Sequence, residues 1–129
     1  MDSFELTCDF PVPAKDVYAA WLNSEIHSAF TGGLAAIEND VHSRFTAWDG
    51  YITGMIIELE ENKRILQSWR TSEFHMDDDD SMVEIEFTEE ENGCKLRLKH
   101  WNIPKEQGGK YMTGWDEHYF QPMRKYFSA

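Results

Sequence analysis

The chain has 129 residues, of which 24 are acidic and 12 basic, so its formal net charge is −12. Such a charge repels nucleic-acid phosphates and anionic lipid headgroups, and we expect neither nucleic acid nor a membrane surface as a partner. The length suits a single domain over residues 1–129 with a sizeable hydrophobic core.

The N-terminal segment predicts a strand and no targeting sequence. An acid, Asp2, stands where a secretory signal needs lysine or arginine, so we expect a cytoplasmic protein. Residues 4–10 alternate between apolar and polar side chains, which is typical of a strand with one buried face. Pro11 and Pro13 predict the end of that strand.

Two short helices are predicted next. Apolar residues recur at helical spacing over residues 14–22, with Asp16 in the first turn, where the helix dipole favours an acid. A further turn of helix is predicted over Ser24 to Phe30. The pair Gly32-Gly33 then predicts a break in the chain.

Antiparallel hairpins are predicted between Leu34 and Trp101. Residues 44–48 form the first arm of a hairpin that turns tightly at Asp49-Gly50, because this dipeptide tolerates positive φ. Residues 53–59 and 65–69 are the arms of a second hairpin. The run 55–57 is apolar throughout, so the sequence leaves its inward-facing side open.

Charge and hydrophobicity agree on one register for the third hairpin. The predicted core-facing pairs are Val83 with His100, Ile85 with Leu98, and Phe87 with Leu96. This register places Glu84 opposite Lys99 and Glu86 opposite Arg97 on the outer face, where opposite charges stabilise the pairing. Residues 90–93 then form the connecting loop.

The last element is an amphipathic helix. Residues 102–110 are polar and contain Gly108-Gly109, which predicts a loop. From Gly114 to Phe127, Trp115, Tyr119, Met123 and Phe127 recur every four residues and predict a broad apolar face. Pro122 predicts a kink, because it lacks a backbone donor.

This order of elements resembles the helix-grip, or START/Bet v 1-like, superfamily. Local motifs are similar to those of the activator homologues of the heat-shock-protein-90 ATPase. The motifs are Pro13 to Trp21, the Asp49-Gly50 turn followed by Gly54, the strand from Lys63-Arg64-Ile65 to Trp69, and Gly114-Trp115. The resemblance covers nearly the whole chain.

The resemblance implies an α+β fold in which a curved antiparallel sheet of about six strands wraps around a long C-terminal helix, with two short helices after the first strand. It also implies a cavity between sheet and helix that binds an apolar molecule such as a lipid, sterol or polyketide. The alternative function that it implies is a co-chaperone-like module that stimulates a heat-shock-protein-90-type ATPase.

The predicted ligand-binding residues are bulky side chains on opposite walls of that cavity. They are Phe30, Phe45, Trp48, Trp69, Ile85, Phe87, Leu98, Trp115, Tyr119 and Met123. Apolar walls with a few polar groups are what a small-molecule pocket consists of. The alternative is that these residues only fill the core between helix and sheet.

The acidic segment from Asp77 to Glu91 contains nine acids and no base. A calcium loop of the EF-hand type that began at Asp77 would need glycine at Met82 and glutamate at Thr88, so that pattern fails. We expect a solvated loop, with weak divalent-cation binding as the alternative. Its functional interpretation is an acidic surface around Asp77 to Asp80 that docks a basic partner such as a chaperone.

No catalytic or cofactor motif is recognisable, so we expect neither an enzyme nor a metal or organic cofactor. Asp116, Glu117 and His118 lie together, but acids near a helix start are explained by the helix dipole. His100 is predicted to be a hydrogen-bonded core residue. Cys8 and Cys94 have no metal-ligand spacing, and we expect two reduced thiols, with one disulfide bridge as the alternative.

Overall fold

The computed structural model describes residues 1–128 and has an α+β architecture. The strands are β1 (Asp2–Phe10), β2 (Arg44–Ala47), β3 (Ile52–Glu60), β4 (Arg64–Thr71), β5 (Ser81–Glu90) and β6 (Gly93–Ile103). The helices are α1 (Ala14–Trp21), α2 (Ser24–Thr31), α3 (Gly108–Trp115) and α4 (Gln121–Phe127). The predicted fold class, with its two short helices after the first strand, is confirmed.

The six strands form one antiparallel sheet in the order β1-β6-β5-β4-β3-β2. One face of this curved sheet is apolar because buried and less buried side chains alternate along the strands, as in β5 and β6. The C-terminal helix, comprising α3, α4 and the segment between them, packs on that face. The helix-grip arrangement implied by the resemblance is therefore confirmed.

The register of the third hairpin is the predicted one. Ile85 pairs with Leu98 in the core, and the flanking pairs Val83–His100 and Phe87–Leu96 are also buried. On the outer face, Glu86 accepts a hydrogen bond from Arg97 at 3.1 Å. The strands extend further than expected, to Glu90 and from Gly93, so only residues 91 and 92 remain as the loop.

The first hairpin turns more widely than predicted. Ala47 pairs with Ile52, so the connection has four residues, Trp48 to Tyr51, and not only Asp49-Gly50. Trp48, Asp49 and Gly50 all have positive φ, at 52°, 59° and 91°. The prediction of positive φ at Asp49-Gly50 was correct, but Trp48 leaves the strand and joins the turn.

The C-terminal helix begins earlier than predicted. It starts at Gly108, so Gly108-Gly109 form its first turn and do not belong to the preceding loop. Asp2 explains this start, because its carboxylate accepts a hydrogen bond from the Gly108 N–H at 2.9 Å. Before Pro122 the helix widens into a π-helical segment, Asp116–Phe120, which interrupts the α-helix where the kink was expected.

The two short helices close one side of the core. Asn23 caps α2 by accepting the Ile26 N–H, and Gly32, with φ at 86°, ends α2 in the left-handed conformation. Trp21 from α1 is fully buried against the C-terminal helix, with its ring 6.1 Å from that of Trp115. Within residues 1–128, Cys8 and Cys94 are free and buried. No helix in that range has the length and apolar character to cross a bilayer.

Candidate functional site

A cavity of about 640 Å³ lies between the β2–β3 turn, β4 and the C-terminal helix. Six aromatic side chains line it: Trp48, Tyr51, Trp69, Tyr111, Trp115 and Tyr119. The other lining residues are Ile52, Lys110, Thr113, Gly114, Glu117 and His118. Lys110, Glu117 and His118 are exposed, so the cavity opens to solvent along the exposed side of the helix.

Four of the predicted ligand-binding residues line this cavity. Trp48 lies in the turn and Trp69 on β4, while Trp115 and Tyr119 come from the C-terminal helix. The structure brings these four together because the helix stripe faces the end of the sheet where β3 and β4 meet the turn. Their role in binding a ligand stays a prediction.

The other six predicted wall residues lie outside the cavity lining, in the packed core. They are Phe30, Phe45, Ile85, Phe87, Leu98 and Met123, each at most 7% exposed. Phe30 packs on Tyr119, with ring centroids 6.3 Å apart, and so fills the space on the α2 side of the helix. Met123 is fully buried one turn beyond Tyr119. Any contact of these six residues with a ligand stays a prediction.

Hydrogen bonds hold the aromatic side of the C-terminal helix in place. Tyr111 donates its hydroxyl hydrogen to Gln107 at 2.7 Å and therefore accepts from the Thr71 hydroxyl of β4 at 2.6 Å. Trp115 donates its indole N–H to His100 at 3.0 Å. Tyr119 donates to His27 at 3.0 Å. Three successive turns of the helix are thus tied to three different elements.

His100 on β6 is fully buried and neutral. Because the Trp115 indole donates to its Nδ1, the hydrogen of the ring lies on Nε2, which donates to the Ser81 hydroxyl at 2.9 Å. Ser81 in turn donates to the carbonyl of Trp69 at 2.6 Å. Burial lowers the pKa of His100 to about 3.

His27 on α2 is the second buried histidine, and sequence reasoning did not single it out. Its Nδ1 donates to the Trp21 carbonyl at 2.8 Å, and its Nε2 accepts from the Tyr119 hydroxyl. Burial lowers the pKa of His27 to about 4 and raises the pKa of Tyr119. Both nitrogens of both buried histidines are engaged, so neither ring has a free nitrogen to act as a base on a ligand.

Trp48 sits at the cavity in a strained turn. A positive φ is uncommon for a bulky residue, and here the surroundings enforce it. Asp49 accepts the Leu34 N–H at 3.0 Å and donates its own N–H to the Leu34 carbonyl at 2.9 Å. The Trp48 ring lies so close to Gly33 that a Cβ there would be 2.6 Å from its Cε3 atom. Gly33 thus makes room for Trp48.

Charged groups surround the opening of the cavity. Lys110 forms an ion pair with Glu73 at 2.8 Å, and Glu73 also accepts a hydrogen bond from the Tyr51 hydroxyl. The hydrogen bond from Lys110 lowers the pKa of Glu73. On the opposite side, the His118 ring packs edge-on against Trp48 with centroids 5.5 Å apart. Glu117 makes no hydrogen bond or ion pair with the residues that the structure describes.

Several residues that line the cavity were not predicted from the sequence. Tyr111 extends the four-residue spacing of Trp115 and Tyr119 by one turn, so the stripe itself could have revealed it if the helix had been started earlier. Tyr51 and Ile52 had no comparable signal, because their position depends on the four-residue turn. Glu117 and His118 were noticed as a titratable group, and the structure places them at the opening of the cavity.

The acidic loop before β5 is organised by Arg70. This side chain bonds to the Asp80 carboxylate at 2.9 Å and to the carbonyls of Asp78 and His75. The Asp78 carboxylate accepts the His75 N–H at 2.9 Å. Asp77 and Asp79 remain exposed and bond to no other side chain between residues 1 and 128. In that part of the chain, no cluster of three or more potential metal ligands occurs.

Comparison with known proteins places the chain in a family. Residues 11–128 match the model of the family described as "Activator of Hsp90 ATPase homolog 1-like protein". "Activator of 90 kDa heat shock protein ATPase homolog 1" of Mus musculus is 26% identical over 121 residues, which are 92% of this chain and 35% of the relative. The chain therefore spans about a third of the length of the curated relatives it matches.

Solved structures show the same fold. The crystal structure of an HSP90 activator from Plasmodium falciparum superposes with a TM-score of 0.89 at 27% identity, covering 98% of this chain and 96% of that one. A protein of Mesorhizobium loti gives a TM-score of 0.81 at 19% identity, with 96% and 95% covered. From the motifs, the fold and these matches together, the chain belongs to the family of Activator of Hsp90 ATPase homolog 1-like proteins.

Proposed function

We propose that the chain is a co-chaperone-like module that binds a heat-shock-protein-90-type ATPase and stimulates it. One observation carries this proposal. The solved HSP90 activator of Plasmodium falciparum is aligned over 96% of its own length and 98% of this chain, so the similarity extends over nearly the whole fold. The curated relatives named as activators of this ATPase support the same class of partner.

The acidic loop is the surface proposed to contact the chaperone. Two carboxylates already have partners within the loop. Asp78 accepts a hydrogen bond from the His75 N–H, and Asp80 accepts one from Arg70. Asp77 and Asp79 are exposed, and their carboxylates bond to no other side chain within residues 1–128. Carboxylates of this kind favour a basic patch on a partner and speed its association at low salt.

A chaperone ATPase assay tests this proposal. We expect the chain to raise the ATPase rate of a purified heat-shock-protein-90-type chaperone and to bind it less tightly as salt increases. The double variant D77N/D79N removes two free carboxylates and should weaken binding about tenfold, by about 1.4 kcal/mol. The matched control is E61Q/E91Q, which removes two exposed carboxylates from other turns. No stimulation by the unmodified chain would refute the proposal, and equal loss in both variants would refute the assigned surface.

The cavity supports a second candidate function, the binding of a small apolar molecule. Its volume of about 640 Å³ and its six aromatic lining residues are typical of a small-molecule site. Transfer of apolar ligand surface from water into it would contribute about 25 cal/mol per Å². The Tyr119 hydroxyl and the Trp115 indole N–H donate to buried histidines of the core. These polar groups are therefore not available to a ligand, and the lining that it meets is mainly apolar.

Native mass spectrometry and tryptophan fluorescence test the second candidate. Mass spectrometry of freshly purified protein should detect a molecule that remained bound during purification. Emission should shift when lipids, sterols or flavonoids enter the cavity, because Trp48, Trp69 and Trp115 line it. W48A should reduce the shift, whereas W101A, which removes a tryptophan on the outer face of β6, should preserve it. Unchanged emission across such a panel, together with an empty mass spectrum, would refute ligand binding.

A further inference from the structure

The charges around the cavity point to one class of ligand. We propose that the cavity binds an apolar organic cation, meaning an amine or quaternary ammonium group carried on a hydrocarbon or aromatic body. This inference rests on the proposed binding of a small apolar molecule in the same cavity.

The lining is suited to a cation. Six of the twelve lining residues are aromatic, and three of these are tryptophans. The faces of aromatic rings are electronegative, and tryptophan attracts cations most strongly, by about 2 kcal/mol where water is excluded. Trp69 and Trp115 are 4% and 2% exposed and pack on each other, with ring centroids 5.8 Å apart, so the more accessible rings of the lining are those of Trp48 and Tyr51. An anion in the same place would meet repulsion from the ring faces.

The positive charge at the opening is already neutralised. Lys110 is held by Glu73 at 2.8 Å and lies over the Tyr111 ring, with Nζ 5.3 Å from its centroid. Glu117 lines the cavity without a partner among residues 1–128. Because Glu73 offsets the charge of Lys110, the carboxylate of Glu117, unpaired within residues 1–128, favours a cation over an anion at the opening.

The net charge of the whole chain acts in the same direction. At −12, the protein raises the local concentration of cations and lowers that of anions such as fatty acids. Ile52 and the tryptophan rings provide apolar surface, so the ligand also needs a body that gains from leaving water. A small inorganic cation would not use this surface, whereas an amine on an apolar body would use both features.

Calorimetric titration with three probes of one shape tests the charge preference. Naphthylmethyl-trimethylammonium, naphthylmethanol and naphthylacetate share an aromatic body and differ in charge. We expect the cation to bind about tenfold more tightly than the neutral alcohol, and the anion to bind most weakly. Equal affinities, or tighter binding of naphthylacetate, would overturn the charge inference while leaving binding in the cavity intact. If none of the three binds, the proposal of a cationic ligand fails, whereas binding of a small apolar molecule is decided separately by the mass spectrum and the fluorescence panel.

Two pairs of variants locate the effect. E117Q should weaken binding of the cation about threefold and leave the alcohol unchanged, since Glu117 supplies charge only. E91Q removes the same charge from a distant turn and should have no effect. W48A should weaken the cation more than the alcohol, and W101A should weaken neither. Equal effects within either pair would show that the cation binds to the general acidic surface and would overturn the proposal.

Discussion

Gly54 on β3 occupies a position where the surrounding atoms leave no space for a Cβ atom. A Cβ atom there would overlap the backbone oxygen of Ser68 and lie 2.6 Å from Cε1 of Phe45. A backbone oxygen cannot turn away as a flexible side chain can. The motif that pairs the Asp49-Gly50 turn with Gly54 therefore has a packing explanation.

Replacing Gly54 with alanine should destabilise the protein by about 3 kcal/mol, because β3 must move away from β4 or Phe45 must leave its rotamer. The matched control is G109A. Gly109 lies in the first turn of α3 with open space around its Cα, so alanine there should raise stability by up to about 1 kcal/mol. Urea unfolding of both variants measures the difference. A G54A protein as stable as the unmodified chain would contradict the expected overlap.

Residue positions differ in how far the sequence predicts them. Trp115 and Tyr119 could be placed on an inward face because helical periodicity fixes the side on which they lie. Trp48 lies at the cavity, but its positive φ was not predicted, since a bulky residue disfavours that conformation. The contacts that enforce it, Asp49 with Leu34 and the ring against Gly33, join segments far apart in sequence. Sequence propensities and periodicity consider only nearby residues, so they do not predict such contacts.

At the scale of elements, the C-terminal helix accommodates Pro122 through a change of helix type. The segment Asp116–Phe120 is π-helical, and Gln121 donates its N–H to the Asp116 carbonyl, five residues earlier. Pro122 is the second residue of α4, directly after this wider turn. Proline has no N–H and crowds the carbonyl of the preceding turn, and a wider turn gives that carbonyl room.

Replacing Pro122 with alanine should therefore change the free energy of unfolding by less than about 1 kcal/mol. The control is M112P, which puts proline at the exposed fifth position of the regular helix α3 and should cost about 3 kcal/mol. Chemical denaturation, with circular dichroism as the readout, compares the two. If P122A raised the free energy of unfolding by as much as M112P lowers it, Pro122 would be strained in the native helix. The π-helical segment would then not accommodate it.

The elements of this chain were predictable where two independent signals agreed. In the third hairpin, the apolar alternation and the pairing of Glu86 with Arg97 specify the same register, and a slip by one residue would reverse both. The start of the last helix had only a local signal, and Gly108-Gly109 favoured a loop. The structure overrides that preference through Asp2, which is on β1 and accepts the Gly108 N–H. Sequence spacing does not reveal such a long-range cap.

At the scale of the whole molecule, two buried histidines connect the C-terminal helix to the rest of the fold. His100 joins it to the sheet and His27 joins it to α2. Both rings are neutral in the folded state because burial disfavours their charged form. The cavity walls Trp115 and Tyr119 are the residues that these histidines hold. Acid that protonates the histidines therefore loosens the cavity and the core together.

The protein should lose stability as the pH falls from about 6.5 towards 4. The unfolded histidines take up protons near pH 6.5, whereas the folded pKa values are about 4 for His27 and about 3 for His100. Since the unfolded state binds more protons in this window, each histidine should cost about 2 kcal/mol of stability by pH 5. The stability is fully present above pH 6.5. Urea midpoints at pH 7, 6 and 5 measure this slope.

Substituting each histidine shows how much of the pH dependence of stability comes from that residue. H27Q and H100Q remove one titrating group each and should each reduce the pH dependence by about half, even though both variants are less stable at pH 7. H118Q changes an exposed histidine at the cavity opening and should leave the slope unchanged. Relief of repulsion among the 24 acids acts in the opposite direction and is common to all three variants, so the comparison cancels it. An unmodified chain equally stable at pH 7 and pH 5, or a slope that H118Q reduces as much as H100Q, would show that the two buried rings do not control the response to acid.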